Sequence, residues 1–197
     1  MVIVLVRHGE TEWSRTGRHT GRTDIDLAPK GRRDAEAIAR RLHRRTWAAV
    51  LTSPLRRAME TCRLAGLMGD AVIDDDLREW DYGDYEGLTT PEILTRDPTW
   101  SLWRDGCPGG EVPADVGRRA DRVVDRLKAV DGDAVVFAHG HILRVIGARW
   151  ANEPPAFGAR LMLSTASLST LGWEHGEQAF VAWNDTGHQT TTEDDDG

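Results

Sequence analysis

Thiol chemistry is nearly absent from this chain: it has two cysteines, Cys62 and Cys107, 45 positions apart, and neither has a second thiol close by. That excludes a disulfide framework and a thiolate metal knuckle, and Cys62 reads as a core residue. No apolar run approaches the roughly 20 residues of a membrane-spanning helix, so no membrane association is expected. The opening apolar run is too short for a secretory signal and lacks the basic start and cleavage site, which makes cytoplasmic location the expectation. Positive charge is in deficit, with 25 Lys and Arg against 32 Asp and Glu and a net charge of −7. General nucleic-acid affinity depends on a basic face and is not expected. There is no P-loop, no Gly-x-Ser-x-Gly elbow, no Gly-x-Gly-x-x-Gly and no internal repeat.

What is present is an ordinary globular composition, 40% hydrophobic and 29% charged over 197 residues, enough for one core. The first nine residues, Met1-Val-Ile-Val-Leu-Val-Arg-His-Gly9, run from an unbroken apolar stretch into Arg7 and His8. That is the pattern of a strand buried on both faces of a parallel sheet and ending in a cationic, titratable tip. Residues 10–26 carry Arg15, Arg18 and Arg22 without apolar periodicity and read as a basic loop.

Pro29 opens a helix with Ala35, Ile38, Ala39 and Leu42 on its apolar side, and Arg40, Arg41, Arg44 and Arg45 are expected on a solvated face. Residues 48–52 read as a strand, with Ser53 and Pro54 placed to start the next helix and Leu55, Ala58, Met59 and Cys62 on its inner face. A short strand is expected at 71–73. The Gly-, Pro- and Trp-rich stretch 86–111, with one short helix near Pro91, reads as a lid excursion. A long helix over 112–130, a buried strand over 134–138 ending at His139-Gly140-His141, and a helix through Trp150 follow. Residues 161–163, 167–171 and 179–183 read as closing strands around a turn region at 172–177. His43, His175 and His188 are expected at the surface. One α/β domain over 1–185 results, a three-layer α/β/α sandwich around a mainly parallel sheet, with 186–197 a flexible acidic tail.

In such sheets ligands bind beyond the carboxyl ends of the strands. Three strand exits carry matching groups: Arg7 and His8, then Ser53 and Arg57, then His139, with the helix N-terminus after Gly140 adding backbone donors. Two His beside two Arg could be read as a metal site, but guanidinium groups repel a metal cation. The pattern fits a phosphoryl group instead, with imidazole as nucleophile, and no metal or cofactor is expected.

Five segments, Arg7-His-Gly-Glu-Thr11, Gly17-Arg-His-Thr-Gly21, Thr52-Ser-Pro-Leu-Arg-Arg57, Leu77-Arg-Glu79 with Tyr82-Gly83 and Glu86-Gly87, and Ala138-His-Gly140, resemble the phosphoglycerate-mutase-like branch of the histidine phosphatase superfamily. The resemblance implies that fold, a phosphohistidine on His8, and phosphoryl oxygens held by Arg7, Arg57 and His139. It implies Glu79 as general acid and base, with a pKa raised by Trp80 and by bound phosphate. Ser14, Thr20, Gly21, Tyr82 and Gly140 are implied at the substrate. His19 and His141 are open between pocket and structure, and Trp13, Trp80, Trp100 and Trp103 are weighed as pocket walls against packing.

Against the mutases, Trp80 stands where they carry arginine, the stretch 86–90 has no lysine, and 100–110 has no paired arginines. The segments around Glu79 and Trp103 resemble the sedoheptulose-bisphosphatase-type and broad acid phosphatase members. The expectation is hydrolysis of a small phosphorylated metabolite, with a sugar phosphate leading. Arg15, Arg18, Arg22 and Arg104 are candidates for a second phosphate. Mutase-type transfer, phosphoprotein hydrolysis and a non-catalytic phospho-ligand binder stand as alternatives, and the sequence leaves assembly into a homodimer open.

Overall fold

The computed structural model describes residues 1–189; most of the expected acidic tail, 190–197, lies outside the described residues. Among the described residues, six strands and seven helices follow one another. They are β1 (Ile3–Arg7), α1 (Glu12–Thr16), α2 (Pro29–Leu42), β2 (Ala49–Thr52), α3 (Arg56–Leu64), β3 (Ala71–Ile73), α4 (Thr90–Arg96), α5 (Leu102–Asp105), α6 (Pro113–Lys128), β4 (Ala134–Ala138), α7 (Gly140–Trp150), β5 (Leu168–Glu174) and β6 (Glu177–Asp185). The strands form one sheet in the order β3-β2-β4-β1-β5-β6. The first four in that order pair in parallel, and β5 and β6 extend the sheet antiparallel.

Alternation along the strands sends apolar side chains to both faces. Val4, Val6, Val135 and Phe137 pack with Ile38 and Leu42 of α2 and Cys62 of α3. Ile3, Leu5, Ala134 and Val136 pack with Val116, Val123 and Leu127 of α6 and Ile142 and Ile146 of α7. Both central strands are thereby covered on both sides, which is why their sequences show no polar alternation. The three layers expected from the sequence are present. Among the described residues no helix is long and apolar enough to cross a membrane.

Several local expectations change. The loop after His8 contains α1, started by a capping box in which Thr11 and Ser14 exchange side-chain to backbone bonds. Ser53 does not cap α3; Leu55 is the N-cap and the helix starts at Arg56. The reason is that Ser53 N–H donates to Phe137 oxygen at 2.9 Å, prolonging the β2–β4 ladder past the expected helix start, while its hydroxyl oxygen accepts from His139 at 2.7 Å and from Leu55 N–H at 3.3 Å, one residue short of the helix.

Residues 161–163 form no strand; a 3-10 turn over Pro155–Arg160 precedes them. Between β5 and β6 the turn is only His175 and Gly176, with φ of 51° and 90°, the left-handed pair that matches the twist of a two-residue hairpin. The Gly-, Pro- and Trp-rich stretch holds a second short helix, α5, and packs Ile93, Trp100, Leu102 and Cys107 into the main core. His43 and His175 are exposed, but His188 is partly buried.

Candidate active site

The parallel strands β1, β2 and β4 end side by side, so their exits bring Arg7 and His8, Ser53, and His139 to one edge. His8 N–H donates to Ala138 oxygen at 2.9 Å, so the sheet ladder continues into the functional residue. The close crossing requires glycine next: a Cβ on Gly9 would stand 2.3 Å from Gly31 oxygen.

His8 is 5% exposed, and its Nδ1 lies 2.7 Å from Gly9 oxygen. A carbonyl only accepts, so Nδ1 carries the proton and Nε2 keeps the lone pair. Burial, with the Arg57 and Arg7 cations adding to it, holds the His8 pKa well below the ordinary imidazole value. The free ring is therefore neutral. Arg7 Nη1 donates to Leu163 oxygen at 2.5 Å, and its Nε is buried without a partner among the described residues.

His139 is the N-cap residue of α7, fully buried, with its ring centroid 5.2 Å from that of His8. Arg57 Nε donates to its Nδ1 at 3.1 Å, which leaves Nε2–H to donate to Ser53. The rest of the Arg57 guanidinium holds the backbone oxygens of Thr20, Gly21 and Thr23 at 2.9–3.1 Å. In the free protein Arg57 thus ties the residue 20–23 loop to the His139 ring, and neither Arg57 nor His139 lines the cavity described below.

Glu79 is 8% exposed. Its carboxylate accepts from the backbone of Trp80 and Ile142 at 2.9 Å and of His141 at 3.0 Å, closing the N-terminus of α7. Burial alone raises its pKa. The hydrogen bonds it accepts, above all from His141, overcome that and hold it well below the usual carboxylate range. The raised pKa expected from Trp80 is not a property of the free site.

Of the implied substrate residues, Ser14, Thr20, Tyr82 and Gly140 line a cavity of about 170 Å³ together with Arg7, His8 and Glu79. The Ser14 hydroxyl is engaged in the α1 cap and that of Thr20 donates to Arg18 oxygen. Gly21 faces a neighbouring hollow instead, and its N–H is held by the Glu86 carboxylate, which also takes Thr23 N–H at 3.0 Å. Tyr82 O–H donates to His141 Nδ1 at 2.6 Å, and burial raises the phenol pKa, so the proton stays on Tyr82.

His19 and His141 both prove to be pocket residues. Arg144 also lines the cavity and was not anticipated. It stands four residues after Gly140, one turn along the same helix face, and that spacing could have revealed it. Its guanidinium lies 4.5 Å above the Trp103 ring and is steadied by Gly158 oxygen at 2.8 Å. His19, His141 and Arg144 continue into a second hollow of about 330 Å³ walled by Trp100 and Trp103. Trp80 is core, and Trp13 lies against Gly87. Arg15, Arg22 and Arg104 are paired with Glu12, Asp81 and Asp105; Arg18, held by Gly87 oxygen at 2.6 Å and 3.7 Å from Glu92, lines the cavity. No cluster of three metal-type ligands occurs among the described residues.

Comparison with known proteins places the chain in a family. Residues 3–186 match the model of the histidine phosphatase superfamily (branch 1). An acid phosphatase of Mycobacterium tuberculosis is 43% identical over 190 residues, covering 94% of this chain and 93% of the relative. A sedoheptulose 1,7-bisphosphatase of Saccharomyces cerevisiae is 38% identical over 179 residues, covering 75% and 66%. A solved structure of an open reading frame product from Mycobacterium tuberculosis superposes with a TM-score of 0.90 at 42% identity, covering 95% of this chain and 98% of that one.

Proposed function

The chain belongs to the histidine phosphatase superfamily, branch 1, and from that premise we propose that it hydrolyses a small phosphomonoester, a sugar phosphate, through a phosphohistidine on His8. The observation that carries this reading is the His8 to Gly9 hydrogen bond of 2.7 Å, which leaves the lone pair on Nε2 of a neutral imidazole beside Arg7. A neutral, fixed imidazole is a competent nucleophile, and phosphoryl transfer otherwise asks the protein for position and positive charge.

In the first step Nε2 forms a bond to phosphorus, the ester P–O bond breaks, and the leaving oxygen takes a proton from Glu79. In the second, water gives a proton to Glu79, its oxygen attacks phosphorus, and the N–P bond breaks to release inorganic phosphate. The unpartnered Arg7 Nε–H and the α7 N-terminus at Gly140 supply donors for the phosphoryl oxygens. For the His139 Nε2 proton to supply a further one it must leave Ser53, since His139 does not line the free cavity. Arg57 keeps the residue 20–23 loop over the phosphate and adds a fixed positive charge.

Because the free site holds Glu79 as a carboxylate, its proton arrives with the substrate. A phosphomonoester loses its second proton near pH ~6, so the monoanion brings one, and phosphate charge beside Glu79 raises that carboxyl's affinity for it. Activity on sugar phosphates is then expected to fall as pH rises above that value. The acid limb lies below the ordinary imidazole range because the His8 pKa is depressed.

The second hollow suits a leaving group larger than a methyl or glyceryl unit, with Trp100 and Trp103 as faces for a sugar ring. If the substrate has a second phosphate, Arg144 and Arg18 are the cations within reach, not Arg15, Arg22 or Arg104. Equal kcat/KM for a sugar bisphosphate and its monophosphate would remove that role. The reading as a whole is tested by following phosphate release from sugar phosphates, phosphoglycerates and nucleotides, with 3-phosphoglycerate isomerisation in parallel. Hydrolysis of a sugar phosphate as the fastest reaction is the expected result; mutase turnover exceeding hydrolysis would overturn it.

A further inference from the structure

The run of arginines at the end of α2 and just beyond it is not simply a solvated face. Arg41, Arg44 and Arg45 rim a hollow of about 340 Å³, twice the volume of the cavity at His8 and sharing no residue with it. Its floor is apolar, made by Val4 of β1, Leu42 and Leu168, and one wall is the indole of Trp47. Val4 precedes His8 by four residues, so this hollow lies toward the other end of β1, roughly 13 Å along the strand.

Two of the guanidiniums are fixed in place by carboxylates. Arg41 Nη2 meets Asp185 at 2.6 Å and Arg45 Nη1 meets Asp133 at 2.8 Å. Each of these bonds uses one donor of five, so most of the fork remains available. Arg44, exposed between them, has no carboxylate within 4.0 Å among the described residues. Three cations thus face two carboxylates around one hollow, in a chain whose overall charge is −7. Like charges three and four positions apart repel one another, and an anion between them relieves that repulsion. Trp47 adds a second observation: its Nε1–H is buried and has no acceptor, while the ring remains partly exposed beside the arginines.

From this we propose a second anion site, separate from the catalytic cavity, that takes a phosphorylated metabolite carrying a flat ring, of the size of a nucleoside monophosphate. The phosphate lies among Arg41, Arg44 and Arg45, where planar guanidiniums match its oxygens, and the ring lies on Trp47 over the apolar floor. The volume falls within the range of small-molecule sites.

The test is calorimetric titration of AMP and of inorganic phosphate into the full-length His8→Ala protein, in which turnover cannot confuse binding. The same titration is repeated with Arg44→Glu and with Trp47→Ala added separately. Arg44→Glu is expected to weaken AMP at least about tenfold, since a charge-assisted bond is lost and a like charge introduced. Trp47→Ala is expected to remove the advantage of AMP over inorganic phosphate while leaving phosphate binding in place. Arg44→Glu in the otherwise native chain, which touches no catalytic group, should keep its turnover and so report that the protein is folded. AMP binding unchanged by Arg44→Glu, or no AMP binding to the His8→Ala protein, would overturn the proposal.

Discussion

The cavity at His8 has two walls built by different means. On one wall, Arg7, His8, Glu79 and Gly140 stand where backbone geometry is already fixed. His8 continues the β1–β4 ladder, and Glu79 closes the first turn of α7 through the N–H groups of His141 and Ile142. The other wall, residues 17–20, runs into a loop over 20–23 that forms no ladder and is held by two side chains, Arg57 on its carbonyls and Glu86 on its amides. The difference teaches where precision comes from. Groups that must meet a phosphorus atom within a few tenths of an ångström are mounted on the sheet and a helix end. Groups that accommodate the substrate are mounted on a loop whose position depends on two ion-like anchors.

This division predicts that variants of the two walls separate in kinetics. The largest effect is expected for His8→Ala, a loss of about 10⁴-fold or more in kcat, measured as phosphate released under saturating substrate. Next is Glu79→Gln, also on the rigid wall. It should cost about 10²–10⁴-fold with a sugar phosphate, whose alkoxide needs a proton, and much less with an activated phenyl phosphate. Equal losses for both substrates would remove Glu79 from the acid role.

On the loop wall, Glu86→Gln weakens the hold on Gly21 and Thr23 without touching the phosphate. A rise in KM of about tenfold with kcat nearly unchanged is expected, from one weakened charge-assisted anchor. A fall in kcat with KM unchanged would mean the two walls are not separable.

How much of this was legible in the sequence follows the same division. The apolar runs at 3–7 and 134–138 announced β1 and β4, and with them the placement of Arg7, His8 and His139, because a strand buried on both faces must be apolar throughout. The helix periods gave α2, α6 and α7. What the sequence could not show is the loop wall. Arg57 was anticipated as a phosphate ligand, yet its hydrogen bonds go to three carbonyls more than thirty positions away, a pairing no local pattern encodes. The low pKa of Glu79 was hidden for the same reason, since its donors His141 and Ile142 are over sixty positions distant. Ser53 misled because its capping signature is real, but sheet pairing and His139 claimed the residue first. The arginines at the end of α2 and just beyond it read as a wet face because their spacing matches one; the hollow they rim is made by β1 and β5 from elsewhere in the chain.

The smallest effect expected concerns stability and both walls together. Burial depresses the pKa values of His8, His139 and His141, and brings that of His19, on the loop wall, to about 4. Below the ordinary imidazole value the unfolded chain binds protons that the folded protein does not, so stability falls as pH drops through that window. For His19 the window runs from 6.5 down to about 4. Thermal unfolding followed by circular dichroism should give a Tm level above pH ~7 and declining below ~6.5. His19→Gln should shallow that decline, and a Tm that rises on acidification would contradict the assignment of neutral, buried rings.

The central claim is that the phosphoryl group passes through Nε2 of His8, and it is tested most directly by trapping that bond. Protein mixed with radiophosphate-labelled sugar phosphate and quenched in alkali within the first turnover should carry label on the peptide containing His8. Phosphorus NMR of the denatured product should place it on Nε2, with no label in His8→Ala. Label on another residue, label on Nδ1, or multiple turnovers with no labelled protein at any quench time would contradict the account.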